Sequence, residues 1–248
     1  MAAARELLLS DITEMGPGFC VLAIEPGGAG RWQTVRPLPQ RSMAWPAPFP
    51  HKRRDYVRAE LFPFETDPPH FEDHQTGELR PTGRTATEAD LVGGLRQAEM
   101  AASIPELFGA SVQPSPHGGS AVWVKPSEAA RSICGCVPRD IRFQIYTDEG
   151  QTRFRAQLSL ESGETLRSLP FVDHDWNRFL RHLLGSATAD EVRRKMNGPI
   201  RARLRESALL LTRIGLTRPW KEGVCWLMLD SLFPQPKVSW LKEDLERS

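Results

Sequence analysis

The sequence predicts a β-rich protein, in the range from all-β to α+β, with antiparallel strands and a few peripheral helices. The first observation is the proline content: the 248 residues include 21 prolines, more than the usual share of about 5%. Proline interrupts helix interiors and strand ladders alike, so it favours short strands joined by turns. The second is the recurrence of apolar or alternating segments between glycines and prolines, typical of a sandwich or small barrel. Hydrophobic residues make up 40% and charged residues 25%, which excludes a disordered or fibrous chain.

Three strands and one helix are predicted in the first half. The strands are residues 19–24, 32–37 and 56–61. Their connections contain glycine and proline and leave no room for a crossover helix, so antiparallel pairing is expected. Residues 87–102 have a helical pattern, with Leu91 and Leu95 on one side. Gly93 and Gly94 weaken that helix by about 1 kcal/mol each relative to alanine.

The second half alternates between strands, helices and strands again. Its predicted strands are residues 121–124, 141–146 and 153–160, and a last β-rich stretch holds residues 209–211, 214–216, 218–220 and 224–229. Asp148-Glu149-Gly150 separates two of these as a hairpin turn, because glycine tolerates positive φ. Helices are predicted over residues 175–184 and 188–206, the second interrupted near Gly198-Pro199.

A linker rich in Pro, Ser and Gly is predicted at residues 113–119. It divides the chain into an N-terminal domain, residues 1–113, and a C-terminal β-rich domain with a helical insertion, residues 120–248. Residues 1–119 carry 11 basic and 15 acidic side chains, and residues 120–248 carry 21 and 16. If either half meets phosphates, the more basic C-terminal half is the better candidate, although a mixed solvated surface explains the same charges.

The four cysteines indicate reduced thiols. They are Cys20, Cys134, Cys136 and Cys225. Cys134-Gly135-Cys136 has the wrong spacing for half of a zinc knuckle, so no metal site and no cofactor are expected. The sequence contains neither a signal peptide nor an apolar run of membrane-spanning length, and a cytoplasmic protein without membrane association is the expectation.

The segment Pro68-Pro69-His70-Phe71-Glu72-Asp73-His74 is the strongest candidate site. Two prolines restrict the backbone, so a rigid non-helical loop is expected to present the ionisable side chains. His70, Glu72 and Asp73 are candidate catalytic residues, because carboxylate and imidazole serve acid–base chemistry and cation binding. In an extended loop His70, Glu72 and His74 would face one way and Asp73 the other. The alternative is a loop stabilised by its own hydrogen bonds and by arginines.

Arginines and tryptophans are the candidate nucleic-acid contacts. Arg36 and Arg218 each precede a proline, and a guanidinium binds phosphate or carboxylate equally well. The remaining candidates are Arg194, Arg201 and Arg205 on a predicted helix face, with Trp32 and Trp220 as stacking surfaces. A solvated helix face and buried tryptophans are the simpler alternatives. No phosphate-binding loop, dinucleotide fingerprint or nucleophile elbow is present in the sequence.

Short matches along the chain resemble the prokaryotic dual OB-containing domain family. They are Leu8–Thr13, Cys20–Ile24, Trp32 with Val35-Arg36-Pro37, Pro69–Asp73, Ser168–Trp176 and Gly215–Pro219. The resemblance implies two oligonucleotide-binding (OB) type antiparallel β-barrels. It also implies association with nucleic acid, in prokaryotic defence or nucleic-acid processing.

Three functional hypotheses follow. The first is a protein that binds single-stranded or duplex nucleic acid. The second is an enzyme that acts on nucleotides or nucleic acid through the His70–His74 loop, and the third is an adaptor for a protein partner.

Overall fold

The computed structural model describes residues 4–27, 30–65, 68–115, 120–219 and 223–235. Strands make up 49% of the structure, with some helices, which confirms the predicted β-rich class. No helix in these segments is long and apolar enough to cross a membrane.

The first half forms one eight-stranded sheet. Its strands are β1 (Ala4–Met15), β2 (Gly18–Pro26), β3 (Trp32–Pro39), β4 (Trp45–Pro46), β5 (Asp55–Glu60), β6 (Phe62–Pro63), β7 (Asp73–Thr76) and β8 (Arg80–Thr85). Their order is β6-β7-β3-β2-β1-β5-β8, with β4 paired to β2. The pairs are antiparallel except β3 with β7. The section formed by β3, β7 and β6 is a half-barrel.

Strand β1 is apolar on both faces because both faces are covered. Leu7 and Leu9 belong to the cluster inside the first sheet, whereas Leu8 packs with the helix α1 (Glu88–Gln97) and with Leu211 and Phe233 of the second half. A strand buried on both sides reads as a continuous apolar run.

Helix α1 begins where its sequence predicts. The Thr87 hydroxyl accepts from the Asp90 backbone N–H at 3.1 Å, and the Asp90 carboxylate accepts from the Thr87 N–H at 3.2 Å, which is a capping box. Gly94 is required by packing, because a Cβ there would lie 2.6 Å from Ile24 Cδ1 and 3.3 Å from the Trp32 ring.

The second half contains a six-stranded and a three-stranded sheet. Its strands are β9 (Met100–Ala101), β10 (Gln113–Pro114), β11 (Val122–Val124), β12 (Ile133–Cys136), β13 (Pro138–Asp148), β14 (Gln151–Leu160), β15 (Thr165–Pro170), β16 (Leu209–Leu216) and β17 (Cys225–Gln235). The larger sheet has the order β10-β11-β17-β16-β12-β9, and the smaller has the order β13-β14-β15.

Residues 100–114 pack with the second half, although they precede the predicted linker. The helix predicted to reach Ala102 ends at Gln97, because Met100 and Ala101 pair with β12 as a parallel strand. Leu107 and Phe108 are fully buried in the core of the second half.

The remaining helices lie mainly between β15 and β16. They are α2 (Ile104–Phe108), a 3₁₀ turn (Pro126–Glu128), α3 (His174–Leu184), α4 (Ala189–Lys195), a π-helical turn (Met196–Ile200) and α5 (Arg201–Glu206). The predicted interruption at Gly198-Pro199 coincides with the π-helical turn, since proline lacks the N–H that a regular turn needs.

The hairpin predicted at residues 148–150 is present. Asp148 pairs with Gln151 at the end of the β13–β14 ladder. Glu149 and Gly150 both have positive φ, 47° and 76°, as a two-residue hairpin turn requires.

The two halves share a buried junction. The Glu14 N–H donates to the Val172 carbonyl at 3.0 Å, and the Val172 N–H donates to the Leu229 carbonyl at 3.1 Å. The backbone of β1 is thereby connected to β17 through Val172.

Candidate functional site

The His70–Asp73 segment is a turn with buried ionisable side chains and not an extended presentation loop. The Asp73 N–H donates to the His70 carbonyl at 3.2 Å. The ligand atoms of His70, Glu72 and Asp73 all lie within 4.8 Å of one another. The expectation that Asp73 faces away is therefore wrong, because a turn does not alternate its side chains as a strand does. His74 lies outside this group, and its Nδ1 is 3.0 Å from the Glu72 carbonyl.

Arg36 on β3 occupies the centre of these side chains. Its Nη1 lies 2.9 Å from His70 Nδ1 and 3.0 Å from Asp73 Oδ1, and its Nη2 lies 2.9 Å from Glu72 Oε1. Arg36 is 5% exposed. A buried guanidinium is tolerated only when its charge is paired in this way.

The position of Arg36 fixes the protonation of His70. A guanidinium can only donate, so Nδ1 of the imidazole must accept and the ring proton is on Nε2, which points at the Thr217 carbonyl at 3.3 Å. Burial, with the positive charges of Arg36 and Arg218, lowers the pKa of His70. The histidine is thus neutral and uses both ring nitrogens in hydrogen bonds.

Glu72 is held in its charged form. Burial raises its pKa, but the charge of Arg36 and a hydrogen bond from the Ser132 hydroxyl outweigh burial and lower the pKa to about 2. A metal ion among His70, Glu72 and Asp73 would have to displace a guanidinium already in contact with all three, so this group carries no proposal of a metal site.

The same side chains connect the two halves of the protein. Ser132 and Arg218 come from the second half. Arg36 Nη2 donates to Ser132 Oγ at 3.1 Å, Ser132 Oγ contacts Glu72 Oε1, and Arg218 Nη2 contacts Asp73 Oδ2. We call Arg36, His70, Glu72, Asp73, Ser132 and Arg218 the Arg36 cluster. Its burial and its hydrogen bonds between the halves favour the structural alternative, a clasp.

A second buried ionic group lies further along the junction. Arg213 Nε is 3.9 Å from Asp11 Oδ2, and both residues are fully buried. Asp230 approaches Gly215 so closely that a Cβ there would lie 2.2 Å from its Oδ2. Burial and the Asp11 charge raise the pKa of Asp230 to about 8. In the sequence, Asp11, Arg213 and Asp230 are each a charged residue within an apolar strand, a pattern that indicates a buried charge.

Arg53 and Asp173 form another buried pair across the junction. Arg53 Nη2 donates to Asp173 Oδ1 at 2.7 Å, and Asp173 also caps α3 by accepting from the Trp176 N–H at 3.2 Å. Burial raises the pKa of Asp173 to about 6, although Arg53 opposes the shift.

Of the two tryptophans predicted to stack bases, Trp32 lies in the described part of the chain. Trp32 is half-buried, with its ring against Gly94 of α1, so it contributes to packing. Trp220 lies outside the described residues.

Two of the three predicted helix arginines bind the same carboxylate. Arg201 Nε and Arg205 Nε each donate to Asp140 Oδ1 at 2.9 Å, and Arg142 Nε lies 4.0 Å from Asp140 Oδ2. Arg194 is exposed on α4, before the π-helical turn. Burial raises the pKa of Asp140, but hydrogen bonds from Arg201 and Arg205 lower it to about 2.

Beside Asp140 is an open groove of about 180 Å³ between β13 and α5. Exposed Arg139 and Arg205 line it, as does Glu161. We call Arg139, Asp140 and Arg205 of this lining, together with Arg142 and Arg201 that contact Asp140, the Asp140 groove. Three guanidinium groups approach the Asp140 carboxylate, and Arg139 lies in the lining with Glu161. Basic side chains thus outnumber acidic ones and leave a local positive charge that favours anionic ligands.

No family model matches the chain, and no curated protein matches it. The resemblance to the dual OB-containing domain family stays a hypothesis.

Proposed function

We propose that the protein binds nucleic acid through its C-terminal half, and that its two parts are OB-like modules. The observation that carries the proposal is the Asp140 groove, where arginines outnumber carboxylates in an open, polar surface. The half-barrel of the first sheet and the short family matches are in keeping with the OB-like architecture.

The Asp140 carboxylate organises this groove for phosphates. It binds Arg201 and Arg205 through their Nε atoms, which restrains two long side chains in advance of binding. The Arg205 side chain is 53% exposed, so its outer N–H groups face solvent. A restrained guanidinium loses less conformational entropy when it binds a phosphate bidentately.

The groove also contains an arginine without a competing carboxylate. Within the described segments Arg139 forms no ion pair, and it is exposed beside Arg205. Phosphate binding to such residues releases counterions, so affinity falls as salt rises.

Fluorescence anisotropy with labelled single-stranded and duplex oligonucleotides at several salt concentrations tests the proposal. We expect binding at low salt that weakens as salt rises. The double variant Arg139→Gln/Arg205→Gln should bind more weakly, and its salt slope for single strands should fall by about 0.7 for each phosphate that it no longer neutralises. Arg201 remains on Asp140 in that variant, so the fold should be retained.

Arg84→Gln is the matched control, because Arg84 is an exposed arginine paired with Glu6 in the first half. It should bind as the unmodified protein does. Absence of binding at low salt, or equal binding by the double variant and the control, would overturn the proposal.

A further inference from the structure

We propose that the outward face of the β13-β14-β15 sheet is a platform for single-stranded nucleic acid, on which Tyr146 stacks a base. This inference rests on the proposed function and names its substrate class. The platform face is defined by Arg142, Gln144, Tyr146, Arg153, Arg155 and Gln157.

Alternation of side chains creates this face. Ile141, Phe143 and Ile145 of β13 point into the core of the second half, and each is at most 5% exposed. The intervening residues must therefore point outward. Across the ladder they form three directly opposed pairs: Arg142 with Gln157, Gln144 with Arg155, and Tyr146 with Arg153.

Tyr146 is positioned by a neighbouring strand. Its hydroxyl accepts from Arg155 Nε at 2.7 Å, and Arg155 Nη1 donates to the Ser168 carbonyl of β15 at 2.7 Å. Arg155 thus bridges all three strands and restrains the tyrosine ring, which is 39% exposed. An exposed aromatic ring held in place is what base stacking on a β-sheet requires.

The charge of the face suits a phosphate backbone. In the described part of the chain neither Arg155 nor exposed Arg167 of β15 forms an ion pair with a carboxylate. Arg153 is 3.8 Å from Asp148 at the hairpin end. Gln144 and Gln157 add donors and acceptors that can bind base edges.

The platform face continues into the Asp140 groove. Ser159 and Thr165 are paired across β14 and β15, and both line an open cavity together with Arg139, Asp140 and Arg205. Asp140 and Tyr146 are six residues apart on one strand, a span of about 20 Å at ~3.4 Å per residue. A single-stranded nucleic acid bound along this path would have phosphates at the Asp140 groove and a base stacked on Tyr146.

Single-stranded nucleic acid fits this surface better than a duplex. Stacking on Tyr146 needs the face of a base, and a duplex hides base faces inside the helical stack. The arginines of the groove need only phosphates, which both forms offer.

The test compares Tyr146→Leu with Phe71→Leu, an exposed aromatic residue of the first half, 60% exposed. Binding of a labelled 12-nucleotide single strand and of its duplex is measured by anisotropy, and circular dichroism melting checks folding. Tyr146→Leu should weaken single-strand binding about 5- to 150-fold, the loss of one stacked base. It should leave the salt slope unchanged, because every arginine that binds phosphate is still present. Tyr146→Trp keeps a ring at this position and should bind single strands at least as tightly as the unmodified protein.

The outcomes separate the two proposals. If the unmodified protein binds neither form, the proposed function fails and the platform fails with it. If it binds and the Arg139→Gln/Arg205→Gln variant is weakened, while Tyr146→Leu behaves like Phe71→Leu, the platform is overturned and the proposed function stands. Equal loss for single strand and duplex in Tyr146→Leu would overturn the single-strand preference.

Discussion

Replacement of Arg36 by methionine is the most demanding test of the Arg36 cluster. The guanidinium is 5% exposed and lies within 3.0 Å of atoms in His70, Glu72 and Asp73. Methionine fills part of the volume but leaves two carboxylates without their central cation. Loss of one partner from a buried ion pair costs about 3–5 kcal/mol.

The cost of Arg36→Met should depend on pH and on a second substitution. Without Arg36 the pKa of Glu72 is no longer held low, so the carboxyl protonates in mild acid and the destabilisation is smaller at pH 4 than at pH 7. Adding Glu72→Gln should recover part of the loss, because it removes a buried unpaired charge.

Guanidinium chloride unfolding, followed by tryptophan fluorescence and circular dichroism, measures these differences. Arg84→Met is the control, since an exposed pair such as Arg84 with Glu6 is worth about 0–1 kcal/mol. If Arg36→Met costs no more than the control, the cluster is not a clasp and the reasoning is refuted.

Three further predictions concern packing and pH. Gly93→Ala should stabilise α1 by up to about 1 kcal/mol, because the added Cβ meets open space. Gly94→Ala should destabilise the protein, because the added Cβ would lie 2.6 Å from Ile24 Cδ1. The melting temperatures of the two variants should shift in opposite directions. Glu72 has a pKa of about 2 when folded, against an ordinary glutamate value of 4.5. The charged carboxylate therefore stabilises the fold above pH ~4.5, and about 3 kcal/mol of the free energy of unfolding is lost as the pH falls towards 2. Urea unfolding of Glu72→Gln should lack this loss between pH 4.5 and pH 2, and the same loss in the variant would contradict the role given to Glu72. The pKa of Asp230 is shifted in the opposite direction, to about 8 in the folded protein against 3.8. The stability of the unmodified protein therefore falls as the pH rises between those values, and Asp230→Asn should become more stable relative to it from pH 5 to pH 8. A stability difference between the two proteins that stays constant over this range would contradict the raised pKa of Asp230.

Local elements were predictable because their signals are local. The β13–β14 hairpin follows from alternation at residues 141–146 and 153–160 and from the turn glycine, Gly150. The start of α1 follows from its capping residues. The end of α1 does not follow from its local sequence, since Met100 pairs with β12, a strand more than thirty residues away.

In the candidate sites too, contacts within one helix were predictable from the sequence, whereas contacts between distant segments were not. Of the three arginines predicted to share a helix face, Arg201 and Arg205 lie on α5 and both bind Asp140, because residues four apart are neighbours, whereas Arg194 lies on α4. The Arg36 cluster gathers residues 36, 70, 72, 73, 132 and 218 from both halves, and no spacing in the sequence encodes that meeting. The orientation of Asp73 was wrong because a hydrogen-bonded turn replaced the assumed extended chain.

The platform face was not predicted, although its residues were inside predicted strands. Alternation predicts which members of a strand are buried, but it assigns no role to the outward members, here Arg142, Tyr146 and Arg155. Their positions follow from the hairpin register once that is known. What the sequence could not show is the Arg155–Tyr146 hydrogen bond that positions the ring.

Hydrogen–deuterium exchange of the full chain, with and without a single-stranded oligonucleotide at low salt, tests the central claim most directly. We predict slowed exchange in residues 138–170 and 201–205, with the first sheet unchanged. Protection confined to the first sheet, or none at saturating oligonucleotide, would contradict nucleic-acid binding by the C-terminal half.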